Sequence, residues 1–337
     1  MGAALKAVRV SDHVYWVGAI DWTVRNFHGY ATNRGSTYNA YLIMADKVTL
    51  VDTVKCPFKD ELLSRISSLI EPKKIDYLVS QHSEMDHSGC FSQIVQAIEP
   101  EKIFASPNGK KALTAHFHHN YEVEAVEDGG EIDLGNMKLS SLMTPMLHWP
   151  DSMVSYLAKD ELLFSQDGFG LHLASTERFD DELPEYGVRY EAAKYYANIL
   201  LPLSSQVKRV LKKIEEMNIP IKVLANDHGP LWRKNIGKII QLYGEWAEQR
   251  PRKKAVVIYA SMWKSSEKMA AVIADGLAGK GISTKVMCLD VAHRSDIVTE
   301  ILDAGAMVVG TPTLNNNMFP LVADFLCYLK GLKPKNL

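Results

Sequence analysis

The stretch IDYLVSQHSEMDHSG, residues 75–89, runs from an apolar strand-like segment straight into a loop carrying His82, Glu84, Asp86 and His87 within six positions. Imidazole and carboxylate are the donors that suit borderline and hard cations, and loops at strand ends are where α/β folds gather reactive groups. In an extended segment, spacing by two turns His82, Glu84 and Asp86 to one side and leaves His87 facing another, so one loop can grip two cations. Three more candidates follow predicted strand ends: His148 after KLSSLMTP, Asp167 closing ELLFSQD, and His228 after IKVLAND. Four histidines, one glutamate and two aspartates suffice for two metals with about three protein ligands each and one bridging carboxylate.

The rest of the chain narrows the class. At 337 residues it exceeds one compact domain, and two folding units are expected. A formal charge of -2 gives no reason to expect nucleic acid or an anionic membrane as partner. No run of about 18 to 20 apolar residues crosses a membrane, and MGAALKAVRVSD lacks the apolar core of a secretory leader, so a soluble cytoplasmic protein is expected. Cys56, Cys90, Cys288 and Cys327 lie far apart. Without a C-x-x-C pair there is no dithiol or iron-sulfur centre, and electrons must come from another cofactor or partner.

Short β-like runs (VYWVGAI, YNAYLIMAD, KVTLVDTV, IDYLVS, KIFASP, MKLSSLMTP, SMVSYLAKD, ELLFSQD, IKVLAND) alternate with helical segments (ELLSRISSLI, CFSQIVQAIE, YEAAKYYANIL, VKRVLKKIEEM). The charged EQRPRKK, broken by Pro251, marks a boundary between units at 1–250 and 254–337. From Lys254 onward strand and helix alternate as in a doubly wound parallel sheet. At about 84 residues this unit is short by one or two βα pairs, and the chain reads as truncated.

The loop at 82–87 resembles that of the metallo-β-lactamase superfamily, an αββα sandwich whose usual loop reads H-x-H-x-D-H and usually holds zinc. Glu84 stands where that loop has its second histidine. A carboxylate is a harder, anionic donor that favours iron, so the substitution points to redox chemistry. The same departure, with a flavodoxin-like module appended, is similar to the flavodiiron proteins. The likeness is carried by GAIDW (18–22), FHGY (27–30), TYNAYL (37–42), the loop at 82–87, MLHWPDSMVS (146–155), YYANI (195–199), DHG (227–229) and SMWKSSEKM (261–269).

That resemblance implies a site. His82, Glu84 and His148 would hold one iron, Asp86, His87 and His228 the other, and Asp167 would bridge them, with His28 and Tyr30 lining the pocket as possible donors. In a flavodoxin-like domain the loop after the first strand cradles a phosphate, here Ser261, Met262, Trp263, Lys264, Ser265 and Ser266. Pro312, Thr313, Leu314, Asn315 and Asn316 follow the third strand, where a flavin ring would lie. With the resemblance, the cofactors implied are FMN and two iron ions. The partners implied are rubredoxin as donor, dioxygen or nitric oxide as substrate, and a second copy in a head-to-tail homodimer.

Blander readings compete with some of these residues. HFHH (116–119) reads as surface, His172 as packing or as support for the site, and Tyr195 as a packing residue. Two other functions fit the same motifs: a zinc hydrolase on the same sandwich, and a non-enzymatic flavin carrier or gas sensor with a vestigial metal site.

Overall fold

The computed structural model describes residues 5–118 and 121–335. His119 of the HFHH stretch lies outside them; His116 and His118 are exposed.

Two sheets form the centre. The first has seven strands in the order Val8–Arg9, Val14–Trp16, Tyr41–Ile43, Thr49–Val51, Tyr77–Ser80, Lys102–Ala105 and Val123–Ala125. The second has five, Glu131–Asp133, Lys138–Met143, Met153–Leu157, Leu162–Gln166 and Val223–Asn226. Strand side chains alternate between faces, and here each face meets a different layer. Tyr41, Val51, Val79 and Phe104 meet Leu139, Met153, Leu157 and Phe164 between the sheets. Their strand neighbours Leu42, Leu50, Leu78 and Ile103 pack outward on helices Lys59–Ser67 and Phe91–Ile98. On the far side Val154, Tyr156, Leu163 and Leu224 pack outward on Tyr195, Leu200, Val207 and Tyr243. The result is an αββα sandwich. Each fully buried large side chain in these layers contributes roughly 1.5 to 3 kcal/mol.

Several predicted segments break where the chain must change sheets. VYWVGAI divides into Val14–Trp16 and Ala19–Asp21, because at Gly18 a Cβ would lie 2.2 Å from the Tyr38 carbonyl oxygen. The loop of 82–87 is not extended throughout: Met85–Ser88 is a helical turn, which puts Asp86 and His87 on one inward-facing rim instead of opposite sides. Helices Ile236–Glu248 and Pro320–Leu332 went unanticipated, since their apolar positions are interrupted by glycine and by charge.

The C-terminal module is a parallel three-stranded sheet with Arg252–Tyr259 between Ser283–Cys288 and Ala304–Gly310. One apolar cluster runs from Tyr196, Leu200 and Trp246 of the sandwich into Val256, Ile258, Val298, Phe325 and Leu329 of this module. Polar contacts flank it: Lys194 Nζ to Asp296 Oδ1 at 2.5 Å, Tyr328 Oη donating to Asn198 Oδ1 at 2.7 Å, and the Ala31 amide to Ser295 Oγ at 3.3 Å. Among the described residues no helix is long and apolar enough to cross a membrane.

Candidate metal centre

Strands Lys138–Met143 and Leu162–Gln166 are both antiparallel to Met153–Leu157, and Leu162–Gln166 is parallel to Val223–Asn226. All three therefore end at one edge, where His148, Asp167 and His228 follow. Strand Tyr77–Ser80 of the other sheet ends at the same edge, with the Met153 amide donating to Gln81 O at 3.1 Å. The backbone holds the ends together: Asn39 N donates to Asp227 O at 2.7 Å and Asp227 N to Gln166 O at 3.0 Å. Gly229 closes the DHG turn at φ +77°, with the Leu171 carbonyl oxygen 2.4 Å from where a Cβ would stand. Only glycine fits there.

The seven predicted donors converge as two adjoining groups. In the first, His82 Nε2 lies 3.2 Å from Glu84 Oε2 and 3.4 Å from Asp167 Oδ2. His148 Nε2 lies 3.2 Å from Glu84 Oε2 and 2.8 Å from Asp167 Oδ2. In the second, His87 Nε2 lies 3.2 Å from both Asp86 Oδ2 and Asp167 Oδ1, while His228 Nε2 lies 3.1 Å and 3.2 Å from the same two oxygens. Asp167 thus offers one oxygen to each group. All but Glu84 and His148 are buried.

Orientation matters as much as distance. His87 Nε2, His228 Nε2, both Asp86 oxygens and Asp167 Oδ1 are buried without a hydrogen-bond partner, although they sit within ion-pair distance of one another. Groups aimed at each other would hydrogen-bond; these aim at common points between them. Buried polar atoms left in this way call for a ligand.

The electrostatics agree. Burial works against ionising Asp167, yet the neighbouring His87 and His228 hold its carboxyl well below the usual range. Burial opposes ionisation of Glu84 too, and His148, His28 and His82 outweigh it. Burial disfavours charge on His228, but Asp167 and Asp86 carry its pKa up to about 9. The carboxylates create a negative well that attracts protons or cations.

Residues missed in the sequence stand behind three of the histidines. The far nitrogen of His228 lies 2.7 Å from Thr37 O, that of His82 3.4 Å from Asp151 Oδ2, and that of His87 3.7 Å from Asp227 Oδ2. Of these only the Thr37 carbonyl is at hydrogen-bond distance, and by accepting from His228 Nδ1 it leaves Nε2 free for the pocket. Asp151 is fixed in turn by the Ser83 amide at 2.6 Å and its hydroxyl at 2.7 Å. These three lie inside TYNAYL, MLHWPDSMVS and DHG, but nothing local marks them as supports.

Around the pocket, His28 stacks on Phe27 and puts Nε2 3.0 Å from Glu84 Oε1. Tyr30 is buried with its hydroxyl unpartnered, as is that of Tyr195. His172 is also buried: its ring lies 4.6 Å from that of His228, and Nδ1 meets Ser36 Oγ at 2.7 Å. Both Tyr195 and His172 thus border the donors.

In the C-terminal module the helix begins at Ser265, so Ser265 and Ser266 form its first turn and not a loop. Ser261 Oγ is buried without a partner, Lys264 has φ +64°, and Met262 and Trp263 are exposed. Thr313–Leu314 and Asn317–Met318 pair as a small hairpin whose turn residues, Asn315 and Asn316, both have positive φ. Asparagine tolerates that conformation, which such two-residue turns require. Pro312 precedes the hairpin.

Comparison with known proteins follows this division. Residues 37–229 match the family described as ODP family beta lactamase, and 257–336 match Flavodoxin. The chain is 45% identical to a nitric oxide reductase from Moorella thermoacetica, over 98% of this chain and 83% of that protein. It superposes on the rubredoxin oxygen:oxidoreductase from Desulfovibrio gigas with TM-score 0.96 at 44% identity, covering 98% of this chain and 84% of that one. On the flavodiiron protein from Giardia intestinalis the values are 0.94 and 34%, covering 98% and 81%. With the sandwich, the paired donor groups and the flavodoxin domain in one chain, this protein belongs to the flavodiiron family.

Proposed function

We propose that the chain is an oxidoreductase that reduces dioxygen to water, or nitric oxide to nitrous oxide, at two iron ions. His82, Glu84 and His148 would hold one, Asp86, His87 and His228 the other, and Asp167 would join them. The observation that carries this reading is Asp167, which turns one oxygen to each donor group. A cation about 2.1 Å from its donors needs those donors roughly 3.0 to 3.4 Å apart, the spacing of every donor pair given above except His148 and Asp167, which stand closer at 2.8 Å. Glu84 in an imidazole's place tilts the set toward iron. Iron bound there would supply Lewis acidity and one-electron redox chemistry.

The protein's own part is to orient and exclude. His28 sets its Nε2 beside Glu84 Oε1, at 3.0 Å, on the wall of the pocket. The Tyr30 hydroxyl, unpartnered within the protein, is free to donate to a small polar guest. Trp149, its ring 5.4 Å from His82, walls the pocket and limits water.

FMN fits the C-terminal module. The buried Ser261 hydroxyl and the amides opening helix Ser265–Ala278 suit a phosphate, with Lys264 adding charge; the hairpin at 313–318 would border the ring. FMN bound there would supply electrons singly or in pairs. We assign rubredoxin as the donor and the cytoplasm as the setting. A head-to-tail pair of copies is supported by exposed Met85, Met146 and Trp149 beside the donor cluster and by exposed Met262 and Trp263 at the flavin loop. Such apolar surface favours a covering partner.

The test is anaerobic turnover of the purified, reduced protein with dioxygen or nitric oxide, alongside metal and flavin analysis. Consumption of gas by iron- and FMN-loaded protein is expected. Zinc-only protein with esterase activity, or loaded protein that consumes neither gas, overturns the reading.

A further inference from the structure

Glu191 is 5% exposed and lies one helical turn before Tyr195 on the same face of helix Glu185–Tyr195. Tyr195 borders His172 and His228, at ring distances of 5.2 Å and 6.1 Å. Tyr30 joins the same group, its ring 5.5 Å from that of His172. The hydroxyls of Tyr30 and Tyr195 and Nε2 of His172 are all buried without a partner in the protein. A column of protonatable groups with free hydrogen-bonding capacity therefore runs from the donor cluster toward Glu191.

Glu191 also reaches solvent. Its Oε1 lies 3.3 Å from Arg34 Nε, and the Arg34 side chain is half exposed. Arg34 gets there across Gly187, where a Cβ would come within 2.9 Å of Arg34 Nη1. The groups facing the carboxyl are Lys194 and Tyr190 on its own helix, Arg34 ahead of strand Ser36–Tyr38, Tyr30, and Asp296 at the start of helix Arg294–Ile301. Lys194 is neutralised by Asp296 at 2.5 Å. Burial pushes the Glu191 carboxyl up from its ordinary value; Lys194 and Arg34 lower it in part.

We propose that Glu191 is the proton-relay residue of the gas-reducing site, taking protons from solvent at the Arg34 edge and passing them inward along the side lined by Tyr30 and Tyr195. This rests on the gas-reductase reading. The reduction of one dioxygen takes four electrons and four protons and forms two waters; coupling two nitric oxides takes two of each and forms nitrous oxide and one water. FMN, when bound and reduced, would supply the electrons, and the relay moves protons only. Each transfer leaves Glu191 ionised until water at the Arg34 edge returns a proton. A carboxyl that cycles in this way must be protonated at working pH, so the rate falls as pH rises through its pKa.

The experiment compares full-length, iron- and FMN-loaded wild type, E191Q, E191D and R34Q in gas-consumption assays from pH 5 to 10. E191Q is expected to keep its iron, flavin and KM for the gas but to lose roughly a hundredfold in kcat, with a larger solvent isotope effect and no alkaline limb. E191D restores part of the rate. R34Q removes a cation that favours the ionised carboxylate, so the alkaline limb moves to higher pH; its half-exposed position keeps the fold out of question even if E191Q proves unstable. E191Q with the wild-type rate and profile, or R34Q with an unshifted limb, overturns the relay alone. Wild type that consumes neither gas removes the reading beneath it.

Discussion

Replacing Glu84 by histidine restores the donor set of a zinc-type sandwich and tests what the carboxylate does. Glu84 Oε2 lies 3.2 Å from both His82 Nε2 and His148 Nε2, and Oε1 lies 3.0 Å from His28. Its charge therefore bears most directly on the first group. A unit charge about 4 Å from a redox cation, at an effective dielectric near 20, is worth about 4 kcal/mol for each unit of charge gained on oxidation. That is about a thousandfold in the preference for ferric over ferrous iron, or roughly 170 mV. E84H should therefore raise the midpoint potential by roughly 100 to 200 mV and accept zinc in competition with iron. Spectroelectrochemical titration and elemental analysis of protein from cells grown with both metals read the two effects. A variant with an unmoved potential and wild-type iron selectivity would falsify the role given to this carboxylate.

Three further changes probe the rest. S261A removes a buried hydroxyl with no protein partner; at about 1.5 to 3 kcal/mol for a bond to a charged group, FMN should bind roughly tenfold to a hundredfold more weakly in a fluorescence titration, and an unchanged Kd excludes this loop as the phosphate cradle. D296A strands Lys194, whose side chain is 2% exposed. With Asp296 itself partly solvated, a loss of about 2 to 3 kcal/mol is expected in urea unfolding, below the range for a fully buried pair; no shift in midpoint would mean that this pair does not secure the two modules. Burial opposes ionisation of Asp160, but Ser11 Oγ, the His13 amide at 2.9 Å and His13 Nδ1 at 2.6 Å hold its carboxyl below the usual value. Its stabilisation is thus complete above the unfolded value of about 3.9 and lost as pH falls from there toward the lower folded value. D160N should be less stable than wild type by about 1 to 2 kcal/mol at neutral pH and approach it in acid; a pH-independent gap would contradict the assignment.

The donor residues were legible because each follows a strand end, and alternating apolar runs reveal strand ends. The loop's internal geometry was not. Spacing by two suggested that Asp86 would side with His82 and Glu84, but the turn at Met85–Ser88 rotates it toward His87 and His228. The loop after strand Arg252–Tyr259 ends earlier than expected for a similar reason: Ser265 and Ser266 carry no signal that separates loop from first helical turn.

Residue chemistry and order along the chain, by themselves, determined the donor set, its hard character through Glu84, and the pairing of a sandwich with a flavodoxin-like module. Tertiary structure alone decided that Asp167 divides its two oxygens between the donor groups, that the Thr37 carbonyl turns His228 the right way, and that one apolar cluster joins the modules. Donor identity is a property of single residues. Which oxygen faces which nitrogen depends on residues as far as 191 positions apart meeting at one edge, as His228 and Thr37 do, and no local pattern encodes that meeting.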